Sequence, residues 1–202
     1  MIAAPWYLSS LGIVLVIVGA LAGAVRGAGQ SRMGIDPRLT DAEIAKRLDR
    51  RASLGFPGFM VYAGLLGLML SSVFLAYTGA SVTRVFFISA ASFGALSLYG
   101  YTTQRDLSAI GSFMMMGLIG LIIAMLVNMF LKSTGLDFVI SAAGVLIFAG
   151  LTAWDTQRIK EMYDPMEDGT IVGRKAVMGA LSLYLDFINI FLFLLRLMGD
   201  RR

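Results

Sequence analysis

The chain has 202 residues, of which 57% are hydrophobic and 15% charged, with a net charge of +4. A soluble domain is about half apolar and about one quarter charged, so this excess is too large for one soluble core. The sequence contains no cysteine and no histidine, which excludes a disulfide framework, thiolate chemistry, and histidine as proton switch, general base or metal ligand.

The apolar residues fall into six blocks of roughly 17–23 residues, the length at which a helix crosses about 30 Å of hydrocarbon at about 1.5 Å per residue. The first block covers residues 7–25 and carries no charge. Ala20-Leu21-Ala22 fits a small-x-small cleavage pattern, but no Lys or Arg precedes the run and the run is long, so a retained span is expected. Residues 26–58 form the one long loop, and it is basic, with Arg26, Arg32, Arg38, Lys46, Arg47, Arg50 and Arg51. Within it, Thr40 and Glu43 have capping-box spacing, and Ile44 and Leu48 form a narrow apolar stripe. Residues 41–51 are therefore expected to be a short helix on the membrane surface.

The second, third and fourth blocks cover residues 59–77, 85–101 and 109–131, again without internal charge. Helices associate in a bilayer through close packing of small residues. Gly64, Gly67 and Ser71 share one face of the second block, and Gly94, Ala95 and Ser97 crowd the third. Gly117, Gly120, Ala124 and Asn128 align in the fourth. All three groups read as packing seams. Asn128 also reads as a mid-membrane amide that needs a partner.

The fifth block, residues 136–154, has Asp137 at its start and ends on Trp154-Asp155-Thr156-Gln157-Arg158. The sixth, residues 176–197, carries Asp186 at its middle and Arg196 at its end. An aspartate at the centre of a spanning helix is disfavoured by about 2.5–3.5 kcal/mol on insertion scales, and such residues turn inward. Gly179, Ser182, Asp186, Asn189 and Phe193 recur at helical spacing. The sixth helix is accordingly expected at the centre of the bundle, with Ser182, Asn189 and Asn128 contributing polar lining. The whole chain, residues 1–202, reads as a single all-α transmembrane domain.

Lys and Arg set the orientation. The loops after the first, third and fifth blocks carry twelve, and the other side carries five: Arg84, Lys132, Arg196, Arg201 and Arg202. The positive-inside rule puts the twelve in the cytoplasm, and both termini of this chain outside.

Asp155 and Asp186 lie on consecutive antiparallel segments, which allows them to meet. Two carboxylates within hydrogen-bond reach do not readily both ionise. A shared proton then latches the helices together, and its loss leaves free oxygens suited to a hard cation such as calcium, held transiently.

The motifs Gly100-Tyr101-Thr102-Thr103-Gln104-Arg105-Asp106-Leu107, Asp155-Thr156-Gln157-Arg158-Ile159-Lys160 and Ala180-Leu181-Ser182-Leu183-Tyr184-Leu185-Asp186-Phe187-Ile188-Asn189 resemble those of bacterial members of the Bax inhibitor-1 (transmembrane Bax inhibitor motif) family. The likeness runs from about residue 58 to the end. It implies a seven-helix bundle with the last helix central; with six spans here, the first family helix is expected to be absent, the chain either starting late or having diverged there. It implies a pH-sensitive calcium leak channel of the bacterial inner membrane, whose sensing aspartate pair falls on Asp155 and Asp186. It also implies an arginine that contacts the pair, with Arg26 the nearest equivalent and Arg32 the alternative.

The partners expected are membrane lipid and calcium as permeant ion, with no tightly bound cofactor and no nucleic acid. One alternative is a non-transporting regulator of a membrane-bound protease, docked through the basic loop. A second is an intramembrane aspartyl protease, which also needs two aspartates on neighbouring helices. Asp186 sits in Leu185-Asp186-Phe187 without the glycine-rich setting of such enzymes, so no enzymatic activity is expected.

Overall fold

The computed structural model describes Gly64, Gly67, Leu68, Leu70, Ser71 and residues 73–162 and 169–200. The first block, the basic loop with Arg26 and Arg32, and the surface helix 41–51 lie outside the described residues. The second block is described only in part, and its described residues up to Ala76 are helical.

Four further helices follow, and among the described residues no β-strand forms: α1 Gly79–Thr102, α2 Ser108–Leu131, α3 Thr134–Glu161 and α4 Gly169–Met198. They contain the third to sixth apolar blocks. All four are long and apolar enough to cross a membrane, with Met178–Met198 as the spanning part of α4. Six spans are thus expected from sequence, and four are described in full.

Local chemistry explains where the helices begin and turn. Thr78 caps α1 by accepting a hydrogen bond from the Ser81 backbone N–H at 3.3 Å. Ser133 caps α3 by accepting from Leu136 N–H at 3.3 Å, and Asp137 adds negative charge to the first turn. Only Lys132 and Ser133 separate α2 from α3. Lys132 adopts a left-handed conformation with φ 54°, which a side-chain-bearing residue disfavours by about 1–3 kcal/mol. Asn128 offsets this: its Oδ1 accepts from Ser133 N–H at 3.1 Å, and its carbonyl accepts from Lys132 N–H at 2.8 Å. Asn128 is therefore a turn-capping residue near the end of α2, where its buried amide finds the partner expected from sequence.

Short connections make neighbours antiparallel, so α1 runs parallel to α3 and opposite to α2 and α4. The α3–α4 interface is the most extensive. It runs in step from the Asp137–Arg196 ion pair through Gly144 against Phe193 to Ile159 against Gly179. Phe148 stacks on Phe193 with ring centroids 5.9 Å apart. At the Asp137 end of the bundle, the chain after α4 is strapped to α1. Asp200 N–H donates to Ser81 Oγ at 2.9 Å, and Thr78 N–H donates to the Asp200 carbonyl at 3.2 Å.

Burial identifies the inner helix. Of the spanning window of α4, 61% is buried, against 22% in α1 and in α2. Residues 188–195 are buried without a break. Burial thus extends beyond the polar face expected from sequence, because α4 is enclosed by neighbours on more than one side. Of the expected packing seams, Gly117 lies against α3, where a Cβ would meet Ile147 at 3.3 Å, and Ser97 hydrogen-bonds to Thr156 of α3. A Cβ on Gly64, Gly67, Gly94 or Gly120 would meet no described residue, whereas one on Gly144 would press on the Phe193 ring at 2.6 Å. The close approach of α1 to α3 is at Gly100, whose Cα faces the Ala153 backbone carbonyl.

Candidate functional site

Asp186 sits midway along the spanning part of α4 and is 6% exposed. Its Oδ2 has no hydrogen-bond partner among the described residues. Asn189, one turn further on and fully buried, donates through Nδ2 to the Leu185 carbonyl at 2.8 Å. Its Oδ1 likewise has no donor among the described residues. Two buried acceptor oxygens thus lie about one turn apart on one face of the central helix. Ser182, one turn before Asp186, is half-buried on the same face.

Asp155 lies on α3 and is half-buried. The helix does not stop at Trp154, as hydropathy suggests, but continues to Glu161. Asp155 is consequently a helical residue inside the α3–α4 interface. The Gly144–Phe193 and Ile159–Gly179 contacts bracket both aspartates in one stretch of that interface. The Asp155 carboxylate is near enough for its charge to act on Asp186, and the charge of Arg158 acts on Asp155.

A ladder of hydroxyls runs beside Asp155. Thr156 Oγ1 donates to the Thr152 carbonyl at 2.8 Å. That uses its single proton, so Ser97 of α1 donates to Thr156 Oγ1 across 2.9 Å. Thr152 is fully buried and donates to the Phe148 carbonyl at 2.8 Å. The hydroxyls fix the α1–α3 crossing next to the carboxylates.

The structure brings Asp155, Asp186, Ser182 and Asn189 into one region and puts Asn128 elsewhere. Arg26 and Arg32 lie outside the described residues. Among the described residues, no group of three or more acidic, histidine or cysteine side chains gathers to hold a metal. Calcium takes six to eight oxygens. Two carboxylates with one amide oxygen suit a passing ion better than a resident one.

Two features had no clear sequence signal. Arg196, whose side chain is 5% exposed, pairs with Asp137 at the opposite end of α3 and α4 from the site. Gln157 is buried between α3 and the loop joining α1 to α2. Its Oε1 accepts from Leu107 N–H at 2.8 Å, and its Nε2 donates to the Arg105 carbonyl at 2.8 Å. The only hint of the first was two opposite charges at the far ends of consecutive segments. The second was hidden because an amide in a charged run reads as solvated.

Comparison with known proteins follows these residues. The family model described as "Inhibitor of apoptosis-promoting Bax1" matches residues 38–202. A protein of Rickettsia prowazekii (strain Madrid E) is 56% identical over 144 residues, covering 71% of this chain and 61% of the relative. The inner membrane protein YbhL of Escherichia coli (strain K12) is 51% identical over 146 residues, covering 71% and 62%. A protein of Caulobacter vibrioides is 52% identical over 145 residues, covering 71% and 58%. The chain spans about three fifths of the length of these relatives.

Proposed function

The chain belongs to the Bax inhibitor-1 family, and from that premise we propose that it is a multi-pass protein of the bacterial inner membrane that leaks calcium under proton control at Asp155 and Asp186. The observation that carries this reading is the Asp186 carboxylate. It lies buried in the central membrane helix with one oxygen unpartnered among the described residues, and it is within the influence of a second carboxylate. An ionisable group at that depth is retained against its insertion cost, which marks a pathway or a relay rather than a packing element. Residence in the inner membrane is inferred from the printed name of the Escherichia coli relative.

In this reading the two carboxylates share a proton when the pathway is closed. The proton supplies the one hydrogen bond that two acceptors otherwise cannot form. Its departure leaves two anions facing each other across the α3–α4 interface. Their repulsion loosens the helices and frees oxygens for calcium. Asn189 Oδ1 supplies a neutral oxygen one turn along α4, so an ion released by Asp186 meets another ligand in the same face. No covalent chemistry is assigned to the site.

The test is calcium flux into liposomes holding the purified protein, measured as a function of pH. Asp155→Asn and Asp186→Asn are expected to fold and to lose the pH dependence. If both variants gate like the parent, the shared-proton latch is wrong. Cleavage of a membrane peptide that stops with either variant would instead make the pair proteolytic.

A further inference from the structure

Cationic side chains collect where α1 and α3 end, at the opposite end of the bundle from the Asp137–Arg196 pair. Arg158, Lys160 and Arg105 are exposed there. They come from two separate parts of the chain, and Arg158 and Lys160 are held in place rather than free on the surface. The Arg158 guanidinium lies over the Trp154 ring, 5.3 Å from its centroid. The Lys160 ammonium lies 5.0 Å from the Tyr101 centroid and donates to the Tyr101 carbonyl at 2.9 Å. Gln157 grips the intervening loop at the Arg105 carbonyl and at Leu107 N–H, which brings Arg105 alongside α3.

The same region carries the aromatic and apolar surface that a lipid requires. Tyr99 and Tyr101 are exposed near the end of α1, at the depth where aromatic residues meet headgroups. Leu98 and Tyr101, one turn apart and both exposed, give an acyl chain an apolar track below Lys160. Three acids lie nearby: Asp106 is turned onto Ser108 N–H at 2.8 Å, Asp155 is shared between Arg158 and Asp186 of α4, and Glu161 is exposed beside the cluster.

We propose that this surface is a binding site for the phosphate of an anionic phospholipid, with Arg158 and Lys160 as its main contacts and Arg105 at its flank. Stacking uses the face of the guanidinium and leaves its edge of N–H donors for phosphate oxygens. One of the three ammonium donors of Lys160 goes to Tyr101, which leaves two for phosphate oxygens. The apolar track below the cations favours a lipid over free phosphate, which has nothing to lay there. This end also has the excess of Lys and Arg expected for the cytoplasmic leaflet, where anionic lipid is available.

The test needs no flux measurement and is independent of the leak. Protein is reconstituted in nanodiscs of equimolar phosphatidylglycerol and phosphatidylcholine, released, and scored by native mass spectrometry for retained lipid. Wild type is expected to retain phosphatidylglycerol preferentially. A basic group near an anionic surface contributes roughly fivefold in binding, so Arg158→Gln with Lys160→Gln lowers that preference by about 25-fold. Arg84→Gln, at the other end of the bundle, leaves it unchanged. Arg158→Lys with Lys160→Arg keeps most of it, which separates charge from folding. Lys160→Gln alone gives the same reading at about fivefold where the double variant does not fold. Equal retention of the two lipids overturns the proposal, as does an equal loss in Arg84→Gln. Displacement of phosphatidylglycerol by millimolar inorganic phosphate would make the site one for free anion and overturn the lipid assignment.

Discussion

Replacing Asp186 by asparagine is expected to stabilise the folded bundle while abolishing its gating, a combination that distinguishes a functional carboxylate from a structural one. In the structure, Asp186 Oδ2 and Asn189 Oδ1 are both buried acceptors with no donor among the described residues. An unpaired buried acceptor costs about 1–3 kcal/mol, and a charged aspartate at the centre of a spanning helix about 2.5–3.5 kcal/mol. Asparagine removes the charge and nearly preserves the volume, so no cavity opens. It also brings an N–H₂ donor to a face that holds two orphaned oxygens. The net effect is a gain of about 1–3 kcal/mol, below the sum of the separate terms because the two overlap in one side chain. Reversible unfolding in mixed micelles, titrated with sodium dodecyl sulfate and followed by circular dichroism, reads this difference directly. An asparagine variant less stable than the parent by more than about 1 kcal/mol would refute the reasoning.

Four further outcomes are expected. Gln157→Leu loses both hydrogen bonds to the α1–α2 loop and leaves Leu107 N–H without its acceptor; the bundle should lose about 2–4 kcal/mol, and hydrogen exchange at Leu107 should accelerate. Gly100→Ala forces a methyl group into the Ala153 backbone carbonyl, and the same titration should show a loss of about 1–3 kcal/mol or more. Asp137→Asn removes the charge partner of Arg196. Because the Asp137 side chain is 25% exposed, a loss of about 1–3 kcal/mol is expected, below the range for a fully buried pair. Asp106 lies outside the spanning segments, and hydrogen bonds from the Ser108 side chain and backbone hold its carboxyl below the usual aspartate range. Its contribution to stability is therefore complete above the unfolded value of about 3.9 and is lost as pH falls through the lower folded value; a carbon-13 NMR titration of Asp106 checks the direction.

The third to sixth apolar blocks were legible because a bilayer imposes a length and a polarity that few other environments share. Their ends were less so. Hydropathy stops at Trp154, but α3 carries Asp155, Arg158 and Lys160 on to Glu161, since charged residues near the membrane surface are no obstacle to helix formation. Asp186 was readable from its cost alone. Asp155 was readable only beside its motif, because a carboxylate at a hydropathy boundary looks like an ordinary interfacial charge. The small-residue seams were legible in part. Spacing shows which small residues share a face, but not which face a neighbour occupies; Gly117 meets Ile147, and further close approaches fall at Gly100 and Gly144. The need of Asn128 for a partner was legible, but not that the partner is Ser133, beyond the end of its own helix.

The contact of Gly100 with the Ala153 carbonyl restricts how the site is able to move. Here two backbones touch without a side chain between them, and Ser97 and Thr156 bolt the same crossing one turn away. A shear of α1 along α3 would drive carbonyl into Cα within a fraction of an ångström, so those two helices behave as one stator. Asp155 belongs to that fixed part. In the proposed gating, separating it from Asp186 then falls to α4, as the rotor of the bundle. A spin label on α4 should change its distance to α1 when the site opens, while labels on α1 and α3 keep theirs.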